Sequence, residues 1–182
     1  MIQPDWAAMA PVLVLAAFAL LLFVVDSIDP DSSNNALLAG FASLGTGTAM
    51  VVTIAYLLSG IGQTEGAISL YGGQLVVDGM ALLFTVIFTS VATLVIAASY
   101  DYFETDATPA SFYSLLLLAT TAMGLMAVAN SLVTVFVSLE MASLPSYALV
   151  ASLQDNRGSV AAGRNYCLSG AVSSAVLAVG IS

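Results

Sequence analysis

Residues 112–151 read FYSLLLLATTAMGLMAVANSLVTVFVSLEMASLPSYALVA, two apolar runs with only Asn130 and Ser131 to separate them. Each run is long enough to cross a bilayer as a helix, and the near-absence of a connection makes them a tight helical hairpin. The second run carries one carboxylate, Glu140, near its midpoint, and a proline, Pro145, five residues later. Those two residues frame the reading of function, and the apolar runs decide the fold.

Outward from this hairpin the same pattern recurs. Of the 182 residues, 60% are hydrophobic and 7% charged, and the mean hydropathy is +1.03. A water-soluble domain needs more polar surface than that to cover its core. The expected fold is an all-α polytopic membrane protein of about six transmembrane helices. The segments run from about Ala7 to Val25, Ala36 to Ile61, Asp78 to Ala98, Pro109 to Ala129, Ser131 to Leu153 and Ala161 to Ser182. Trp6 suits an interfacial anchor. DSIDPDSSNN is a polar turn, GTGT at 45–48 allows close helix approach, and Gly62–Val77 is a longer connection. MIQPDW has no basic region, so the first segment is expected to be a retained helix rather than a cleaved signal. AVLAVGIS ends in apolar sequence, and the expectation is a chain shorter than its parent protein.

Charge narrows the function. Eleven acids face two arginines, with no lysine or histidine, for a net charge of −9. Nucleic-acid binding is excluded, because phosphates need a basic patch. Acids concentrated at Asp26, Asp29, Asp31, Asp101, Glu104 and Asp106 suit a salty cytoplasm whose counterions screen them. Arg157 and Arg164 lie around the connection between segments five and six, which places that connection inside and the N-terminus outside. Cys167 is read as packing. The sequence has no metal-ligand spacing, GxGxxG or P-loop, so no cofactor is expected in this chain.

An ionised Glu140 at mid-membrane costs about 2.5–3.5 kcal/mol on insertion scales. The group must take up a proton or find a polar or cationic partner inside the protein. At 100° per residue, Ser143, Tyr147 and Gln154 fall on the same side as Glu140, while Val135, Met141 and Leu149 lie opposite. Pro145 has no N–H, which leaves the Met141 carbonyl without its helical donor and bends the axis. Two readings remain open: a neutral interhelix contact, or a carboxyl that loads and releases protons in an ion path. Asp78 reads as a cap for segment three and Asn130 as turn chemistry. Ser169, Gly170, Ser173 and Ser174 read as a small-residue packing face, as do Thr120, Thr121 and Gly124, with the alternative that their hydroxyls hold water beside Glu140.

The run LEMASLPSYALV resembles the fifth transmembrane helix of subunit N of proton-pumping NADH:quinone oxidoreductase, respiratory complex I. DGMALLFTVIFTSVATLVIAASYDYFE resembles the third helix of that antiporter-like family, the 112–140 run its fourth and fifth, and AAGRNYCLSGAVSSAVLAVGI its sixth. The resemblance implies peripheral helices over residues 1–109 and the start of an inverted-repeat proton-translocation module over 110–182. It implies that Glu140 is the proton-carrying glutamate, whose family partner is a helix-seven lysine that this chain lacks. Where many relatives carry a helix-six lysine before a tyrosine, this chain has Asn165 before Tyr166, with Arg164 adjacent. Quinone, flavin and iron–sulfur centres are implied for partner subunits of a complex in the cell membrane. The alternatives are a subunit of a multi-subunit cation/proton antiporter and a non-transporting membrane scaffold.

Overall fold

The computed structural model describes residues 5–28, 34–62, 66–100, 109–151 and 157–182. Within them lie six long helices: α1 (Ala10–Ile28), α2 (Asn35–Leu58), α3 (Gly79–Tyr100), α4 (Pro109–Ala127), α5 (Leu132–Val150) and α6 (Arg157–Ile181). Five of these spans, from Trp6–Ile28 to Leu132–Val150, are long and apolar enough to cross a membrane. The chain is a multi-pass membrane protein. The sixth is equally long but less apolar, because its first half holds Arg157, Arg164 and Asn165. It also begins at Arg157, four residues before the expected start at Ala161, so Arg157 lies on the helix with Arg164 rather than in the connection.

Helix α4 is the hub. It packs against α1, α2, α3 and α5, whereas among the long helices α6 has its main packing against α5. One core cluster joins Leu15, Ala19 and Leu22 of α1 to Leu38 and Ala42 of α2, Ile96 of α3, and Tyr113 and Leu117 of α4. Small residues set the approach. A Cβ added at Gly45 would lie 2.8 Å from Phe18, whereas one at Gly47 would meet open space. Only one glycine of the GTGT run is therefore needed for packing.

Between α2 and α3 Thr93 Oγ1 donates to Thr46 Oγ1 at 2.8 Å. Thr53, Thr85 and Thr89 are buried nearby and return their hydroxyl protons to carbonyls four residues back, which satisfies them without water. At the far end of this pair, Asn35 Nδ2 donates to the Tyr100 carbonyl while its Oδ1 accepts from Tyr113 Oη. Asp78 caps α3 as expected, its Oδ1 accepting from Ala81 N at 2.7 Å.

The connection expected over 62–77 contains a small hairpin. Strands β1 (Ile68–Leu70) and β2 (Leu75–Val77) pair antiparallel, with Ile68 opposite Val77 and Leu70 opposite Leu75. The reversal runs through positive φ at Tyr71, Gly72 and Gly73, a conformation glycine adopts without a Cβ clash. The inward residues Leu70 and Val77 join a second core cluster with Met9, Val12, Leu82 and Val128.

Candidate functional site

The β-hairpin fixes where α5 begins. Val76 N donates to Val128 O at 2.8 Å, and Asn130 N donates to Gln74 O at 2.9 Å. Asn130 Nδ2 also donates to Gly73 O at 2.9 Å. Ser131 caps α5, accepting from Thr134 N, and its hydroxyl donates to Gln74 Oε1 at 2.6 Å. Turn chemistry alone therefore does not account for Asn130: the side chain ties the α4–α5 turn to the hairpin.

From that anchored start, α5 runs unbroken through Pro145 to Val150. Its buried residues, Ser138, Ala142 and Pro145, recur at helical spacing. Glu140, Ser143, Tyr147 and Ala151 lie roughly opposite these, on the side where α6 packs. Of the polar stripe expected from the sequence, Glu140 and Tyr147 therefore lie in the α5–α6 interface.

Four contacts set that interface, the first of them Ser159 Oγ of α6 donating to Val150 O of α5 at 2.6 Å. A Cβ added at Gly163 would fall 2.6 Å from the Ala151 Cβ. Farther along, the Tyr147 phenol occupies the space that Gly170 leaves open, and its ring meets Tyr166 edge-on with centroids 4.7 Å apart. Eleven residues back from Ala151 on α5, and eleven forward from Gly163 on α6, three turns along each antiparallel helix, Ser174 Oγ donates to Glu140 Oε1.

Glu140 is half-buried and near the midpoint of α5. Among the described residues Ser174 is its hydrogen-bond partner. A hydroxyl donor to a carboxylate lowers the cost of carrying charge away from water. Ser143 Oγ donates to Leu139 O at 2.8 Å and keeps its lone pairs as acceptors on the stripe. Arg164 is exposed on α6, three turns before Ser174 and about 15 Å along the axis. Gln154 lies outside the described residues.

Sequence reasoning grouped Ser169, Gly170, Ser173 and Ser174 as a packing face. Gly170 has that role, but Ser169 and Ser173 are exposed and donate within α6, to Tyr166 O and Ser169 O. Ser174 reaches the carboxylate instead. The signal available in sequence was its place on one face with Gly163 and Gly170, the glycines that admit α5.

Residues 129–182 match the family described as NADH:quinone oxidoreductase/Mrp antiporter, transmembrane. NADH-quinone oxidoreductase subunit N of Dehalococcoides mccartyi is 36% identical over 172 residues, 94% of this chain and 34% of that protein. F420H2 dehydrogenase subunit N of Methanosarcina mazei is 33% identical over 178 residues, covering 96% of this chain and 35% of the relative. A chain of respiratory complex I from Thermus thermophilus with bound aureothin superposes with a TM-score of 0.70. That match spans 91% of this chain and 34% of the other at 24% identity, a likeness of fold. The chain spans about a third of the length of the curated relatives it matches. Over nearly its whole length this chain is similar to subunit N of NADH-quinone oxidoreductases and of an F420H2 dehydrogenase, and residues 129–182 match the antiporter-type membrane family.

Proposed function

We propose that this chain forms part of a proton-translocating membrane subunit of a complex I-like quinone reductase, and that Glu140 is its proton-loading group. The observation that carries the reading is the placement of Glu140. It is a single carboxylate near mid-helix on α5, turned toward α6 and held by a hydroxyl, within the residues that match the antiporter-type family. Ser143 and Tyr147 continue the path toward the far end of α5, with Gln154 the next polar group in sequence, by direct bonds or through water. Pro145 leaves a carbonyl available beside it.

In this reading the chain does no redox chemistry of its own. Flavin, iron–sulfur and quinone sites belong to partner subunits, and the electron donor is NADH or a related carrier, as the names of the two relatives suggest. Residues 1–109 form the peripheral helices and 110–182 the start of the translocation module. The N-terminus lies outside, and the acidic composition fits a host with a salty cytoplasm.

The test is Glu140→Gln in the assembled complex in sealed vesicles. Assembly and quinone-reductase subunit content stay at the native level, and donor-driven acidification drops to background. Undiminished pumping would overturn the assignment. The description of the matched family also supports a second reading, a subunit of a multi-subunit cation/proton antiporter. Cation efflux driven by a pH gradient, with no electron donor present, would favour that reading.

A further inference from the structure

Four serines on α5 and α6 share a habit, while Ser159, in the first turn of α6, donates to Val150 O of α5 at 2.6 Å. Ser143, Ser146 and Ser173 each donate to the carbonyl four residues back in their own helix, at 2.8, 2.8 and 3.0 Å. Ser169 donates to the carbonyl three back, Tyr166 O, at 3.0 Å. Such back-bonding is the default for a serine in a helix, because the acceptor is always within reach. Ser174 departs from it, its hydroxyl donating across the interface to Glu140 Oε1. The carbonyl of Gly170, four residues before Ser174, is the acceptor that the default would use.

We propose that Ser174 is the positioning residue of the Glu140 site, a hydroxyl that changes partner as the carboxyl gains and loses its proton. This rests on the reading of Glu140 as a proton carrier. With Glu140 ionised, Ser174 Oγ–H donates to Oε1, as observed. When Glu140 takes up a proton, the carboxyl becomes a donor, and Ser174 turns its own O–H back to the Gly170 carbonyl and accepts the carboxyl O–H. The transported proton passes from Glu140 to the next carrier, and Ser174 keeps its own throughout.

The surroundings leave this role to Ser174. Titratable side chains described on the helices packed against α5 are Tyr113 on α4 and Arg164, Tyr166 and Cys167 on α6, with Tyr147 on α5 itself. Tyr113 Oη donates to Asn35, Tyr166 meets the Tyr147 ring, and Arg164 and Cys167 are exposed. None of them is bonded to Glu140 among the described residues. Gly170 serves twice: it admits Tyr147, which holds the helices in register, and its carbonyl is the alternative acceptor.

The test compares Ser174→Thr with Ser174→Val in the assembled complex in its own membrane. Threonine and valine have nearly the same shape, and only threonine keeps the hydroxyl. The readout is the initial rate at which dicyclohexylcarbodiimide, which reacts with protonated carboxyls in apolar surroundings, modifies Glu140, followed by peptide mass spectrometry. Ser174→Val removes the hydroxyl that partners the carboxyl, and it is labelled about tenfold faster than native. Ser174→Thr stays within about twofold of native, where only packing has changed. Equal rates for the two variants overturn the proposal. A valine variant that fails to assemble beside a threonine variant that assembles also overturns it, since the hydroxyl would then be a structural tether. If the two rates differ while Glu140→Gln pumps normally, the hydrogen bond stands and the proton-carrier reading falls.

Discussion

Tyr147 on α5 fills the notch that Gly170 leaves on α6, and that fit, with Gly163 against Ala151, sets how α6 is rotated against α5. One turn beyond Gly170 the rotation brings Ser174 to Glu140. The site therefore depends on a residue with no side chain.

Gly170→Ala tests this directly. A Cβ there collides with the Tyr147 phenol, a rigid ring that must move or push α6 away. Overpacking of this kind costs about 1–3 kcal/mol. Gly180→Ala is the control, because nothing lies within 4 Å of its added Cβ. The thermal midpoint of the purified chain in detergent falls for Gly170→Ala and stays near native for Gly180→Ala; equal midpoints would remove Gly170 from the account.

The link between the β-hairpin and α5 makes a second prediction. Asn130→Ala removes the bond from Nδ2 to Gly73 O but leaves the main-chain bond from Asn130 N to Gln74 O. The loss is about 0.5–1.5 kcal/mol, confined to the hairpin and the α4–α5 turn. Amide exchange at Val76 and Asn130 should speed up while amides in mid-α2 stay protected. Uniform acceleration would mean that Asn130 supports the whole bundle.

How much of this was legible before the structure follows from which signals are local. Apolar runs long enough to span are local, so α1 to α5 were found within a few residues of their ends. The stripe of Glu140, Ser143 and Tyr147 is a property of one helix and was equally readable. The hairpin was missed because each strand has only three residues, too few for alternation to stand out from a loop. Its glycine pair was visible, but the partner that makes it a structural element, the 128–131 turn, is distant in sequence. Ser174 could not be singled out among the small residues of α6 for the same reason. A Ser173–Ser174 pair says nothing about which hydroxyl faces α5 until Gly163 and Gly170 fix the helix rotation. The start of α6 was placed late because Arg157 looks like a loop residue, although arginine is a good helix former.

The α2–α3 contact predicts a small effect where a large one would be guessed. Thr93→Val removes the donor to Thr46 Oγ1. Thr46 keeps its own donor bonds to Ala42 O and Ser43 O, so no hydroxyl proton is stranded. Interhelical hydrogen bonds within membrane bundles average about 0.6 kcal/mol, and the loss should be of that size. A drop several times larger in denaturant titration would show that the threonines act as a coupled network.

Pro145 makes the last prediction. It is buried on α5, and α5 remains helical on both sides of it. Having no N–H, it leaves the Met141 carbonyl without the donor four residues on. Neighbouring hydroxyls do not fill that gap: Ser146 Oγ donates to Ala142 O and Ser143 Oγ to Leu139 O, the carbonyls on either side of it by one or two residues. Pro145→Ala returns an N–H to the ladder and removes the helix penalty of proline, about 3 kcal/mol in an isolated helix. Against this stands the lost packing of a buried ring. The two oppose, so the thermal midpoint should change little. The carbonyl should change more. With ¹³C=¹⁸O placed at Met141, its amide I band should move to lower wavenumber in Pro145→Ala, as a free acceptor becomes a bonded one. A band that does not move would mean that the carbonyl already has a donor, and Pro145 would then be shaping the helix without supplying a polar group beside Glu140.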